Sequence, residues 1–328
     1  MQCFLFAGRD GRGAARLLSM VMACCCLVLS SVLSSALLLV ALATPAHAAV
    51  LSLDAPQSIG DGKPFVVTVT ADAPGDVVLD WRGQAVTVPM AADGTRTGWA
   101  GQAILAVPLD AKPGTETLRA RVAGQPKAVS AQTGVTRAIA VVRAAYPEQR
   151  LTVEGKYVNP DKAALDRHEA ERARVKAALA LRTPERLWAL PMERPVPGDV
   201  SSLFGLRRVF NGEPRAPHRG LDLRGEAGEP VTACASGRVV LAENHYFAGN
   251  SVYIDHGMGV VSMYFHLSAM DVAPGQTVAR GQAIGRVGST GRVTGPHLNF
   301  GMAVLGDMVD PQLLLDNAPA NTGATTRE

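Results

Sequence analysis

Apolar and polar positions change rhythm several times along the chain. From Leu17 to Ala43 the residues are mostly apolar and carry no charge. Between residues 49 and 146 short apolar and β-branched runs recur: Phe65–Thr70, Val77–Trp81, Ala85–Val88, Ala103–Leu109, Thr117–Val122 and Ala138–Val142. Asp61-Gly62, Ala73-Pro74-Gly75, Asp93-Gly94 and Lys112-Pro113-Gly114 punctuate them as turns. Short strands at this spacing predict an all-β, immunoglobulin-like sandwich, although the Cys and Trp core pattern of antibody domains is missing.

From Asp161 to Arg182 helix formers dominate, and Pro160 stands at the start. Leu165, Val175 and Leu179 fall near one face, so the pattern predicts a charged amphipathic helix linking two domains. Its basic residues interleave with acidic ones, which suits a solvated face rather than nucleic acid. Residues 183–200 hold Pro184, Pro191, Pro195, Pro197 and Gly198 and read as a stiff extended linker. From 201 to 315 the chain turns β- and glycine-rich again. Its runs are Pro230–Ala233, Arg238–Ala242, Ser251–Asp255, Gly259–Tyr264, Ala283–Val287 and His297–Ala303. The tail 316–328 is small and polar and reads as disordered. The expected fold is therefore mainly β. A sandwich (49–146) is followed by a helical and proline-rich linker (147–200) and a second β domain (201–315).

Composition narrows the function classes. With 47% hydrophobic and 19% charged residues over 328 positions, the chain is not a disordered protein. Of the net charge of +3, Arg9, Arg12, Arg16 and Asp10 supply +2, so residues 49–328 are nearly neutral and carry no basic patch for nucleic acid. The arginines, the apolar stretch and Ala46-His47-Ala48 read as a signal peptide cleaved after Ala48, which implies export to the periplasm or cell envelope. The stretch is long enough to span a bilayer, so a retained N-terminal anchor is the other reading, and membrane contact is expected only there. Cys3, Cys24, Cys25 and Cys26 lie in this segment. Only Cys234 remains beyond it, in an apolar run that predicts a buried thiol.

Five of the seven histidines fall between His218 and His297. Clustering of this kind suits a metal or acid–base site. His218 and Asp222 stand four apart in Pro217-His-Arg-Gly-Leu-Asp222, where Pro217 and Gly220 argue for a loop entering a strand. An imidazole nitrogen with a carboxylate oxygen is a common zinc pair, and a plain His–Asp hydrogen bond is equally common. In Gly295-Pro-His-Leu-Asn-Phe300, strand alternation sends Leu298 and Phe300 to the core and His297 and Asn299 into a common cleft. His266 ends the run Met263-Tyr-Phe-His-Leu267, with Tyr264 either lining the cleft or packing beneath it. Thr290–Gly295 reads as a loop at the cleft edge. His245 and His168 read as surface residues, and His256 as structural.

Taken in order, H-x-x-x-D, Y-x-H-L-S and T-G-x-x-T-G-P-H-L-x-F resemble the LytM/lysostaphin-type zinc metallopeptidases over roughly residues 200–313. The segments Ser202–Gly205, Gly237–Val240, Ile254–Gly257, Gly275–Val278 and Gly281–Gly285 fit as well. The resemblance implies a small antiparallel β-sheet domain with an open groove that cuts peptide bonds of peptidoglycan. It assigns His218 and Asp222 as the first two Zn2+ ligands and His266 and His297 as the catalytic, non-ligand histidines. The third ligand of the family is a histidine; that position here is Asn299. Two functions follow as expectations: a zinc endopeptidase acting on peptidoglycan peptides and weakened by Asn299, or a degenerate module that binds peptidoglycan or regulates another cell-wall hydrolase.

Overall fold

The computed structural model describes residues 49–125, 134–155 and 160–316. The signal or anchor reading of residues 1–48 and the tail beyond Asp316 lie outside the described residues. Among the described residues, no helix is long and apolar enough to cross a membrane.

The first region is a sandwich of two sheets. One sheet runs β1 (Leu51–Asp54), β3 (Pro64–Ala71), β7 (Trp99–Ala106), β6 (Ala91–Ala92). The other runs β2 (Ser58–Gly60), β9 (Gly134–Val142), β8 (Gly114–Val122), β4 (Val77–Trp81), β5 (Gln84–Val88). Val67, Val69 and Leu105 from the first sheet and Leu79, Leu118 and Ile139 from the second share one buried core. The long strands follow the apolar runs of the sequence. The short β1, β2 and β6 have too few inward residues to give a pattern.

The helix α1 spans Lys162–Leu179, and Asp161, not Pro160, caps it by accepting the Ala164 N–H at 2.8 Å. It lies on the face of the main sheet that also carries Asn299. Val175 and Leu179 pack on Tyr253, Val261, Met263 and Ala303, while Leu165 is 50% exposed and takes no part. Buried Glu171 accepts the Tyr246 N–H and pairs with Arg167, and Arg174 pairs with Glu243. The proline-rich stretch that follows folds onto the second β region. Trp188, Met192 and Val196 are buried in its core, and Met192 N–H donates to the Leu314 carbonyl.

The second region centres on one sheet in the order β11 (Val200–Ser202), β14 (Leu221–Leu223), β22 (Leu298–Val304), β18 (Val260–Leu267), β17 (Gly249–Asp255), β16 (Gly237–His245), β20 (Thr277–Val278). A small sheet, β10 (Glu148–Leu151), β12 (Arg207–Phe210), β13 (Glu213–Pro214), stands beside it. In that sheet the segment leaving the sandwich pairs in parallel with β12. The two regions are docked through Tyr146. Its hydroxyl donates to the Asp61 carbonyl at 2.5 Å, and its ring packs edge-on to Phe204. A Cβ at Gly205, where φ is +82°, would stand 2.0 Å from that ring, so only glycine fits. Lys63 completes the joint with an ion pair to Asp310 at 2.7 Å.

Beneath the main sheet lies a buried polar chain. His256 Nε2 meets Ser262 Oγ at 2.7 Å, and Ser262 donates to the Tyr264 hydroxyl, which accepts the Cys234 N–H. Tyr264 thus packs under the cleft rather than lining it. Burial pushes the Cys234 thiol up to about 11 and pulls His256 down to about 4. His256 is therefore neutral in the fold, whereas the unfolded chain takes up a proton below about pH 6.5. Stability should fall as the pH drops from about 6.5 toward 4. Between pH 7 and pH 5 the native chain should lose about 2 kcal/mol more than His256→Gln, measured by urea unfolding. Parallel pH profiles for the two proteins would refute the neutral His256.

Candidate functional site

Three neighbouring strands build the site by register. Asp222 of β14 lies directly opposite Asn299 of β22, and on the other side of β22 Asn299 lies opposite Phe265 of β18, next to His266. Leu298 and Phe300 are fully buried beneath, so alternation turns Asn299 toward the cleft. His218 arrives from the loop before β14, where its N–H donates to the Leu206 carbonyl and its carbonyl accepts the Gly205 N–H.

The five residues singled out by spacing come together. His218 Nδ1 donates to the Leu203 carbonyl at 2.9 Å, which leaves Nε2 facing Asp222 Oδ1 at 3.1 Å. The amide nitrogen of Asn299 lies between them, 2.6 Å from His218 Nε2 and 2.5 Å from Asp222 Oδ1. The other amide atom, Oδ1, rests against Gly220; a Cβ there would stand 2.4 Å from it. His297 Nε2 is 3.7 Å from Asp222 Oδ1, and the His266 and His297 rings are 5.1 Å apart. Both rings are oriented through Nδ1, His266 on the Thr290 carbonyl and His297 on the Gly295 carbonyl, each at 2.8 Å. Their Nε2 atoms are thereby left as proton acceptors. The loop Thr290–Gly295 therefore does more than edge the cleft: its ends hold both imidazoles.

Arg208, which the sequence reading did not single out, reaches Asp222 Oδ2 at 3.2 Å. Burial acts to raise the Asp222 pKa. Hydrogen bonding and charge from His218, then His297 and Arg208, outweigh it and hold the carboxyl well below its ordinary range. His266 is pulled down to about 4 by burial and then by His297. His266 also has φ +65°, a strained conformation for a side chain of this size and one often found at functional sites. Nothing in the linear sequence signals either feature.

The remaining histidines lie elsewhere. His256 belongs to the buried chain described above. His245 is buried, not on the surface: it ends β16, faces inward against Tyr253, and bonds Glu243 at 2.8 Å. His168 is half-buried against Phe247, 4.8 Å between rings.

A cleft of about 700 Å³ opens from Asp222 and His297, within the usual range for ligand sites. One wall is Gln149 and Leu151 of β10, and another is Arg224, Glu226 and Glu229. Gln149 is fixed by accepting from Ser202 Oγ at 3.3 Å, and Asn211 pins the segment by bonding Val153 at both its N–H and its carbonyl.

The donor set fits a zinc ion in part. Two tetrahedral ligands about 2.1 Å from zinc lie about 3.4 Å from each other, close to the separation of His218 Nε2 and Asp222 Oδ1. The third group, Asn299, presents an amide nitrogen, which has no lone pair to give. A half-turn of the amide would present its oxygen instead. Among the described residues, no three His, Cys, Asp or Glu side chains cluster as a metal site.

Comparison with known proteins bears on this geometry. Residues 216–311 match peptidase family M23. Peptidoglycan DD-endopeptidase ShyA of Vibrio cholerae is 46% identical over 112 residues, 34% of this chain and 26% of that protein. DD-carboxypeptidase/endopeptidase Mpg of Neisseria meningitidis is 41% identical over 112 residues, again 34% and 26%. The chain thus spans about a quarter of the length of these curated relatives. The crystal structure of a protein assigned to peptidase M23 from Pseudomonas aeruginosa shares 30% identity with a TM-score of 0.58, covering 78% of this chain and 95% of that one. That share is too large to be met by residues 201–316 alone, so the likeness reaches into the sandwich region.

The close seat of the Asn299 amide on Gly220 gives a direct test. Gly220→Ala should destabilise the fold by about 1–3 kcal/mol through overpacking. Asn299→Ala in the same chain should recover most of that loss. Additive costs in the double mutant cycle, read by denaturant unfolding, would show that the two do not touch.

Proposed function

Because the chain belongs to peptidase family M23, we propose that it acts on peptidoglycan peptides in the cell envelope. In this reading it is a zinc-dependent endopeptidase with two strong ligands and one weak one. The observation that carries the proposal is the convergence of His218 Nε2 and Asp222 Oδ1, 3.1 Å apart, beside two imidazoles with free Nε2 atoms. His218 and Asp222 would hold the ion, with the Asn299 oxygen completing the set after its half-turn. When bound, zinc polarises the scissile carbonyl and lowers the pKa of water toward about 7.

The chain's own groups supply the rest. His266 is neutral at neutral pH, so its Nε2 is ready to accept a proton from the attacking water. His297 Nε2, next to Asp222, is a second acceptor at the same point, and the proton taken from the water is the one returned to the departing amine. Arg208 fixes the second oxygen of Asp222 and so leaves Oδ1 turned toward His218 Nε2, the pair that would hold the ion. Gln149 and Leu151 on one side and Thr294 and Gly295 on the other confine an extended peptide across the site.

The names of the relatives support the substrate class and the envelope location. Export would follow from residues 1–48, by cleavage or by anchoring. One observation favours a second reading, in which the protein binds peptidoglycan or regulates another cell-wall hydrolase without cutting. The Asn299 amide already bridges His218 and Asp222 and so satisfies both without an ion.

Zinc titration and digestion of purified sacculi separate the two. His266→Ala and His297→Ala should each lower cleavage about 10²–10⁴-fold while sparing zinc. Asn299→His should tighten zinc by at least about tenfold and raise cleavage. If the natural protein and Asn299→His both bind sacculi but neither takes zinc nor cuts, the hydrolase reading fails and the binding reading stands.

A further inference from the structure

Resting on the reading that the cleft takes wall peptides, the far wall of the cleft says more about which ones. Asp222 and Arg224 stand two positions apart at the end of β14, so they share one face of an extended segment, about 7 Å apart along it. The Asp222 charge is already engaged by Arg208, His218 and Asn299. Arg224 is exposed and, among the described residues, no acidic side chain pairs with it. Its backbone is nevertheless fixed, since its N–H donates to the Asp199 carbonyl at 2.8 Å and its own carbonyl is pressed against Gly198. The guanidinium is thus an unneutralised cation on a rigid base, opening into the same 700 Å³ cleft as His297. Glu226 and Glu229 line the same wall, and Glu229 is steadied by accepting the Glu226 N–H at 3.0 Å.

We propose that Arg224 is a specificity-determining residue that grips a free carboxylate on the bound peptide, with Glu226 and Glu229 receiving a nearby ammonium. A substrate strand repeats about every 7 Å per two residues, so the recognised group lies about two residues from the bond held at Asp222 and His297. The preferred ligand is then zwitterionic at that position, as a diamino acid with a free amine and a free carboxylate is. Arginine suits the task because its planar fork matches a carboxylate through two parallel hydrogen bonds.

The test is binding, measured by calorimetry on the full chain in the presence of a chelator, so that no cleavage intervenes. The ligands are a short peptide with such a diamino acid and the same peptide with that carboxylate amidated. The natural protein should bind the free acid about tenfold more tightly than the amide. Arg224→Ala should lose that margin and treat the two alike, with unchanged thermal stability. Arg224→Lys should recover part of it. If Arg224→Ala keeps the full preference for the free acid, Arg224 does not read the carboxylate and the inference falls while the wall-peptide reading stands. If the natural protein binds neither these peptides nor sacculi, the wall-peptide reading itself falls and takes the inference with it.

Discussion

A buried carboxylate governs this structure. Taking the Asp222 charge out of water is costly unless it is paired and hydrogen-bonded. Nearly every notable residue of the site answers that cost: Arg208 on one oxygen, and His218 and Asn299 on the other, with His297 close by. These partners come from a loop, from β12 and from β22, so the carboxylate ties together pieces of chain far apart in sequence. The His218–Asn299 contact alone closes 81 residues.

That same compensation explains the double character of Asn299. A histidine at this position would need an ion, or a proton, to sit comfortably against His218 and Asp222. An amide needs neither, because one NH2 group can serve the imidazole and the carboxylate together. Asn299 therefore leaves His218 and Asp222 both hydrogen-bonded to its amide without an ion.

Much of this could be read from the sequence. The alternation Leu298-Asn299-Phe300 set the inward and outward faces of β22, and Pro217 and Gly220 placed His218 and Asp222 on a loop running into a strand. Both readings rest on local rules, period two and turn chemistry, that tertiary contacts here leave intact. Other features were hidden because their causes are distant. Glu148-Gln-Arg-Leu151 has no apolar alternation, and its partner β12 lies about sixty positions on. His245 looks like a polar strand end, yet it turns inward because Tyr253 offers a partner across the hairpin. Trp188, Met192 and Val196 sit among prolines and suggest an extended linker, but each finds a hydrophobic seat on the second region.

The strand that leaves the sandwich also supplies a wall of the cleft, so the cleft is built from two parts of the fold. The floor, with its aligned Asp222, Asn299 and His266, is fixed by the register of the large sheet. The wall at Gln149 and Leu151 is held by a short parallel ladder, by Ser202 and by Asn211. A change of sequence before residue 155 would therefore reshape that wall of the cleft while leaving the aligned floor in place.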